Sequence, residues 1–140
     1  MIEQLTVFLE NSEGHLLSLC HALADAGVDM SALTIAETSE YGLVRIICDD
    51  PTAGKAALDK AGLRSTITKV AAIEVPNRPG GLVELLETLK RLNLNIEYGY
   101  CFSTTGGRAI DVFRIKGIEE AAPQIEAAGF KLLDAADLRA

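Results

Sequence analysis

Short runs of alternating hydrophobic and polar residues lie between leucine-rich runs with helical spacing in the first half of this chain. Leu5, Val7 and Leu9 fall on one side of an extended segment, which predicts a β-strand. The leucines that follow recur at helical spacing until Gly27, a residue that suits a helix end. Further along, the pattern predicts strands over residues 28–38, 43–48 and 65–69, and a second helix that opens at residues 49–52 and ends at Gly62.

The second half predicts the same order of elements. Strands are expected over residues 70–75, 94–102, 109–115 and 130–133, and the second helix over residues 118–128. Its first helix carries a long apolar stripe formed by Leu82, Leu85, Leu86, Leu89 and Leu92.

One short motif occurs in both halves, as Asn-Ser-Glu-Gly-His-Leu at residues 11–16 and Asn-Arg-Pro-Gly-Gly-Leu at residues 77–82. The leucines after each motif and the start of the next strand match at the same offset. A loop, a helix face and a strand start shared in this way indicate a duplicated unit. We therefore expect two units, over residues 1–69 and 70–140.

Each unit follows the order β-α-β-β-α-β, which is typical of a ferredoxin-like α+β fold. Right-handed crossovers put both helices on one face of a four-stranded antiparallel sheet. The second strand of such a unit is an exposed edge, and an unpaired edge recruits a partner strand. We expect the two edges to pair, giving a continuous eight-stranded antiparallel sheet with helices on one face.

Composition excludes several classes of function. The chain has 140 residues, 49% of them hydrophobic, and a formal net charge of −7, so the phosphate backbone of a nucleic acid and anionic lipid are both disfavoured partners. No apolar run is long enough to span a membrane, and Met1 leads directly into a strand-like segment without signal-peptide features. The three cysteines are scattered, which favours buried reduced thiols and a cytoplasmic protein.

The loop before the first helix of each unit is the strongest candidate site. Gly14 and Gly80 let backbone N–H groups approach a ligand, and the helix N-terminus beyond them favours a carboxylate. Pro79 suits a helix start, and the amides of Asn11 and Asn77 both donate and accept hydrogen bonds. The alternative is that these residues form a turn and a helix cap with no ligand.

Two further groups of residues have both a functional and a structural interpretation. Asp29 and Asn95 stand where the second strands begin, where they either accept hydrogen bonds from an ammonium group or are solvated polar residues. Tyr98, Tyr100 and Phe102 alternate on one strand and predict an aromatic face that covers the sheet or a dimer interface. The aromatic pattern of an RNA-recognition module is missing from the other strands.

No catalytic arrangement is visible in the sequence. His15 and His21 do not have the spacing of a metal pair on one helix face, and His15 is instead adjacent to the candidate loop. Neither half offers a nucleophile with an evident base, and no nucleotide-binding fingerprint occurs. We therefore expect no catalytic residue, no metal and no cofactor.

The two units resemble ACT domains, small ferredoxin-like modules that sense amino acids, and the whole chain is similar to free-standing tandem ACT proteins. The resemblance covers residues 2–138. It rests on Val-Phe-Leu-Glu-Asn at 7–11 with Gly14, on Val-Pro-Asn-Arg-Pro-Gly-Gly-Leu at 75–82, and on Asn-Ile-Glu-Tyr at 95–98. The first loop departs from the family pattern, with Ser-Glu in place of Arg-Pro.

The resemblance implies that paired units bind an amino acid at their interface, where the loop of one unit faces the second strand of its neighbour. Asp29 replaces the usual asparagine of that strand start, whereas Asn95 matches it. The family's regulatory glycine falls on Gly14 and Gly80. The expected ligand contacts are Asn11, Gly14, His15, Leu16, Asp29 and Met30 in the first unit and Asn77, Pro79, Gly80, Gly81, Leu82, Asn95 and Ile96 in the second.

Three functions follow from these observations. The first is a non-catalytic regulatory protein that binds a small amino acid, read by a separate chain such as a metabolic enzyme. The second is a ligand-free interaction module, or a regulatory subunit of an amino-acid or aromatic-acid metabolic enzyme. The third is a small enzyme, for which loss of turnover on changing His15 or Glu97 would be the sign. Helical and edge surfaces also leave room for a homodimer.

Overall fold

The computed structural model describes residues 1–10, 14–37 and 41–139. The chain divides into two compact units, one of Glu3–Thr68 and one of Lys69–Ala140 together with Met1–Ile2. The elements are β1 (Ile2–Glu10), α1 (His15–Asp25), β2 (Met30–Glu37), β3 (Tyr41–Cys48), α2 (Pro51–Lys60), β4 (Arg64–Pro76), α3 (Gly81–Arg91), β5 (Ile96–Thr105), β6 (Arg108–Ile115), α4 (Ile118–Ala127), β7 (Lys131–Leu133) and α5 (Ala135–Arg139).

The first unit has the strand order β2-β3-β1-β4, and β3 pairs antiparallel with both β1 and β2. Its apolar core joins one side of the sheet to both helices, so the helices cover the same face. Leu19 and Leu23 from α1 and Leu58 from α2 are fully buried there. The strand residues of the core are Leu5, Val7, Leu9, Val44, Ile46 and Cys48.

The second unit repeats this order as β7-β4-β6-β5, with antiparallel pairing throughout. Its core again joins one side of the sheet to two helices, through Leu85 and Leu89 of α3 and Ile118 and Ile125 of α4. The strand residues of the core are Ala71, Ile73, Val75, Ala109, Phe113 and Ile115. In the described residues, the second strand of each unit, β2 or β5, pairs with one strand alone and forms an edge.

The described residues form seven strands rather than the eight expected from the sequence. The strands expected over residues 65–69 and 70–75 are one continuous strand, β4, of 13 residues. The reason is local, because no glycine, proline or asparagine stands between Ser65 and Val75 to turn the chain. The last strand of the first unit and the first strand of the second are therefore the two ends of one element.

Three other expectations need correction. The stripe on α3 is not uniformly buried, since Leu82 and Leu86 are 43% and 41% exposed while Leu85 and Leu89 belong to the core. A short C-terminal helix, α5, follows β7 and was not predicted. The cysteines are not all buried, since Cys48 is buried, Cys20 is half-buried and Cys101 is exposed.

Candidate functional site

The two candidate loops end with the same backbone geometry. Gly14 is the N-cap of α1 with φ 85° and ψ −10°, and Gly80 is the N-cap of α3 with φ 85° and ψ −5°. This left-handed conformation favours glycine. Because glycine has no side chain to cap the helix, no side chain accepts from the first N–H groups of α1 or α3, although the Gly81 N–H of α3 donates to the carbonyl of Arg78 at 2.9 Å. The duplication seen in the sequence is therefore also a duplication of backbone shape.

The second loop is fixed by several contacts. The Asn77 N–H donates to the carbonyl of Gly107 at 2.8 Å, which ties the loop to the turn between β5 and β6. A side chain on Gly81 would place its Cβ 2.0 Å from the carbonyl oxygen of Pro76, so the backbone of α3 starts directly against β4. Arg78 pairs with Glu84 in the first turn of α3 at 2.7 Å. The loop that would receive a ligand is thus held in place before any ligand arrives.

Exposed apolar side chains follow each glycine. Leu16 and Leu17 are exposed on α1, and Leu82, Val83 and Leu86 are exposed on α3. Leucine side chains at the start of a helix that stay in water suit a surface that an apolar ligand group or a protein partner covers. Leu16 and Leu82, both predicted as ligand contacts, occupy matching positions beside the two glycines.

The starts of the second strands differ in charge. Asp29 is exposed, its backbone N–H donates to the carboxylate of Asp49 at 2.9 Å, and Met30 next to it is half-buried. Asn95 is exposed and Ile96 is half-buried. Asn95 and Ile96 line a surface cavity of about 490 Å³, together with Leu86, Leu89, Lys90, Asn93 and Leu94.

The structure does not bring the loop and the strand start of one unit together. In the second unit, Pro76 and Thr105 both lie opposite Arg108 at the loop end of the sheet, whereas Ile96 lies opposite Ile115 at the other end. The length of β5 separates the two ends by roughly 30 Å at about 3.3 Å per residue. Asn95 and Gly80 of one unit therefore cannot hold the same small ligand.

The remaining predicted contacts are near the loops. His15 is the first residue of α1 and is half-buried, and Pro79 is exposed. Asn11 lies outside the residues that the structure describes. Arg78, which the sequence analysis did not name as a site residue, lies between Asn77 and Pro79 with its guanidinium exposed.

Asp111 on β6 is a candidate residue that the sequence analysis missed. It occupies an inward-facing position of the strand, between Ala109 and Phe113 of the core, and is half-buried. Desolvation by burial raises the pKa of its carboxyl above the ordinary value. The sequence feature that could have identified it is a charged residue among the alternate, otherwise apolar positions of a predicted strand. The first unit has Val44 at the matching position.

Other reactive groups show no sign of catalysis. Glu97 pairs with Arg114 at 4.0 Å. Burial raises the pKa of the Cys48 thiol to about 11, which keeps it protonated. Among the described residues, no group of histidine, cysteine and carboxylate side chains has the arrangement of a metal site.

Two units of ferredoxin-like strand order, each with a glycine-led helix after its first strand, define the class of this protein. A family model described as an ACT domain pair matches residues 1–139. The chain belongs to this family, and the resemblance to tandem ACT proteins is confirmed.

Solved structures show the same fold. The protein BT0572 from Bacteroides thetaiotaomicron is 34% identical, with a TM-score of 0.91, over 98% of this chain and 94% of that one. The ligand-free regulatory subunit of aspartate kinase from Thermus thermophilus is 14% identical, with a TM-score of 0.64, over 91% of each chain. The corresponding subunit from Thermus flavus is 16% identical, with a TM-score of 0.59, over 90% of this chain and 91% of that one.

No curated protein sequence matches the chain. Among the described residues, no helix has the length and apolar character needed to cross a membrane.

Proposed function

We propose that this protein is a non-catalytic regulator that binds a small amino acid at the interface between two ACT units. The observation that carries the proposal is the repeated helix start, with φ 85° at both Gly14 and Gly80. Both glycines stand at the end of the matching loop of the two units, and each is followed two residues later by an exposed leucine. The N–H groups at the start of each helix suit the α-carboxylate of an amino acid.

The ammonium group of the ligand is expected to meet the second strand of a neighbouring unit. The loop and the strand start of one unit lie at opposite ends of its sheet, so an antiparallel pairing of edge strands would place the start of one strand beside the loop of the other. Asp29 or Asn95 would then accept hydrogen bonds from the ammonium. Such a pairing between the four-stranded units of two chains gives an eight-stranded sheet across the interface.

The change between the paired and the unpaired arrangement of the units would provide the regulatory signal. A ligand that contacts both units favours the arrangement in which they pair, and a partner protein that distinguishes the arrangements reads the amino acid as a population shift. The expected partner is a separate metabolic enzyme in the cytoplasm. No residue of this chain is assigned a catalytic role in the proposal.

The first test is a thermal-shift screen of the full chain against all proteinogenic amino acids and a few aromatic acids. A ligand at a hundredfold over its Kd stabilises a protein by about 2.7 kcal/mol, a shift of several degrees in Tm for a chain of this size. A dose-dependent shift with one or two related amino acids supports the proposal. A flat panel with folded protein contradicts it.

Gly80→Ala tests whether the loop is the site, and Gly129→Ala is its matched control. Both glycines have a left-handed backbone, with φ 85° and 97°, and both have open space where a Cβ would go. The two variants therefore cost similar stability, but Gly129 lies between α4 and β7 and is not one of the expected ligand contacts. We expect Gly80→Ala alone to weaken ligand binding, by tenfold or more; equal binding by both variants would place the site elsewhere.

The second candidate is a ligand-free docking module, which the exposed apolar surface of α3 favours. Leu82, Val83 and Leu86 lie within five consecutive residues of one helix, and all three are exposed. The fold is shared with regulatory subunits of aspartate kinase, so a metabolic enzyme is the kind of partner to test. A flat amino-acid panel together with binding to such an enzyme, lost in Leu82→Ser, would favour this function.

A further inference from the structure

A surface groove of about 600 Å³ lies between the two helices of the first unit, α1 and α2. Most of its lining residues are alanines, namely Ala22, Ala26, Ala53, Ala56, Ala57 and Ala61. The other two are charged, Asp25 from α1 and Lys60 from α2. Because alanine side chains are short, another surface can come close to the backbones of both helices there. We call this surface the alanine groove.

The alanine groove is a feature of the first unit and not of the fold. The repeat places larger side chains at five of the matching positions of the second unit, namely Thr88, Leu92, Glu120, Pro123 and Gln124. Both units nevertheless have the same strand order, with two helices packed on one side of the sheet. Packing within a unit therefore does not require alanine here, whereas a surface that packs against the helices from outside explains it.

The two charged residues lie at opposite ends of the alanine groove. Asp25 is the last residue of α1 and Lys60 is the last residue of α2. Since β1 and β3 are antiparallel, the helices that return from them run in opposite directions, and their C-terminal ends point to opposite ends of the groove. A carboxylate therefore stands at one end and an ammonium group at the other.

Both charges lack a partner within the chain. The ion pairs and hydrogen bonds of the described residues include neither Asp25 nor Lys60, and both residues are exposed. Asp25 also stands in the last turn of α1, which has no basic residue. The C-terminal end of a helix is its negative end, so a carboxylate there is unfavourable until a cation approaches it.

We propose that a second copy of this chain docks on the alanine groove, so that the first units of two chains pack helix to helix. A twofold axis that lies in the interface and crosses the groove places Asp25 of each copy beside Lys60 of the other. An axis along the groove would instead bring like charges together, so the charges select the first arrangement. This contact uses neither the candidate loops nor the edge strands, and it does not depend on the binding of an amino acid.

The test is sedimentation velocity of the full chain over a concentration series, with single charge reversals. Asp25→Lys and Lys60→Glu should each weaken self-association at least about tenfold, because the twofold axis turns both ion pairs of the dimer into like-charge contacts. An equimolar mixture of the two variants should associate again. The new lysine of one variant then faces the new glutamate of the other, and the native Lys60 and Asp25 face each other.

Glu120→Lys is the control variant, because it reverses an exposed charge at the matching helix face of the second unit. It should leave self-association within about twofold of the unmodified chain, since the second unit is outside the proposed interface. Weaker association in Glu120→Lys, with no recovery in the mixture, would show that the groove receives the second unit of another chain and would overturn the twofold arrangement.

Two further outcomes would also overturn the proposal. The first is a chain that stays monomeric over the whole concentration series. The second is self-association that neither reversal in the groove changes, which would place the interface elsewhere, for example at the edge strands. Neither outcome affects the proposed binding of an amino acid, because that function is tested by the ligand panel.

Discussion

The two units of this protein have the same strand order, yet one inward-facing strand position carries an apolar side chain in one unit and a charged side chain in the other. Val44 fills the position with a buried apolar side chain in the first unit, and Asp111 places a carboxylate there in the second. The fold tolerates the charge because Asp111 is half-buried beside the edge strand β5 and not in the centre of the core. A duplicated fold can therefore keep its architecture while one copy acquires different chemistry.

The candidate loops show a second difference of this kind. Both end in a left-handed glycine, but His15 follows Gly14, whereas Gly81 follows Gly80. In the second loop the start of the helix lies directly against the preceding strand, at the carbonyl of Pro76. The left-handed glycine that both loops share allows the helix to begin there. The additional glycine, Gly81, allows the close contact with Pro76 in the second unit.

The largest expected effect is that of Gly81→Ala. The new Cβ would lie 2.0 Å from the carbonyl oxygen of Pro76, so the backbone of the loop or the strand has to move. We expect the free energy of unfolding to fall by about 3 kcal/mol, measured by urea denaturation. His15→Ala at the matching position should cost less than about 1 kcal/mol. Similar losses in the two variants would contradict the difference between the loops.

Gly14→Ala and Gly80→Ala test what the loops share. Each introduces a Cβ into a left-handed conformation with φ 85°, and neither Cβ meets a heavy atom within 4 Å. Strain is then the main cost, about 1 kcal/mol for each variant. Urea denaturation should give values for the two variants that agree within error. A much larger loss at one loop would show that its surroundings, and not the backbone conformation alone, require glycine.

Asp50→Ala tests a difference between the second helices of the two units. The Asp50 carboxylate accepts from the Ala53 N–H at 3.0 Å and caps α2, while α4 begins at Gly117 without a side-chain cap. Loss of the cap should lower the free energy of unfolding by about 1 kcal/mol. Asp59→Ala, which breaks an exposed ion pair with Lys55 in the same helix, should cost less than about 0.5 kcal/mol. Equal effects would mean that charge, not capping, accounts for the loss.

The smallest expected effect is a gain in stability for Asp111→Asn, and it depends on pH. Since the pKa of Asp111 is raised in the folded protein, folding favours the protonated form. The cost in folding free energy of burying the charged carboxylate is absent at a pH well below the ordinary pKa of an aspartate. It is fully present at a pH above the raised pKa of Asp111. The advantage of Asp111→Asn should therefore grow from about pH 4 to pH 7.

Thermal unfolding of both proteins across this pH range measures the gain, which we expect to stay below about 1 kcal/mol at neutral pH. A constant difference between the two proteins would show that folding does not shift the pKa of Asp111, and a difference that shrinks as the pH rises would show that its carboxylate has a favourable partner in the folded protein.

Most of the fold could be predicted from the sequence because its signals are local. Alternation, helical leucine spacing and glycines such as Gly27 and Gly62 indicate where elements lie, and the repeat adds independent support. The prediction of separate strands on either side of residue 69 was wrong. Matching the two units suggested that one strand ends and another begins there, but no turn residue marks such a break in the chain. The absence of any turn residue between Ser65 and Val75 was the better guide.

The site was less predictable, since it depends on which side of an element faces water. Leu82 and Leu86 have the spacing of core residues, and the tertiary packing of α3 decides that Leu85 and Leu89 are buried instead. The loop glycines were visible because their conformation is a local requirement. Asp111 was not recognisable from the sequence, because the burial of its side chain depends on the strands that pair with β6 on either side.

The continuous strand β4 has a consequence for how this protein can be divided. Chains are usually cut between compact units in an exposed, irregular linker, which proteases reach easily. Here the division between Thr68 and Lys69 falls inside a strand, and its following residues are hydrogen-bonded to β6 and β7. Limited proteolysis is therefore expected to spare this junction, and separate expression of the two halves would cut one continuous strand in two. A strand, and not an irregular linker, joins the two units.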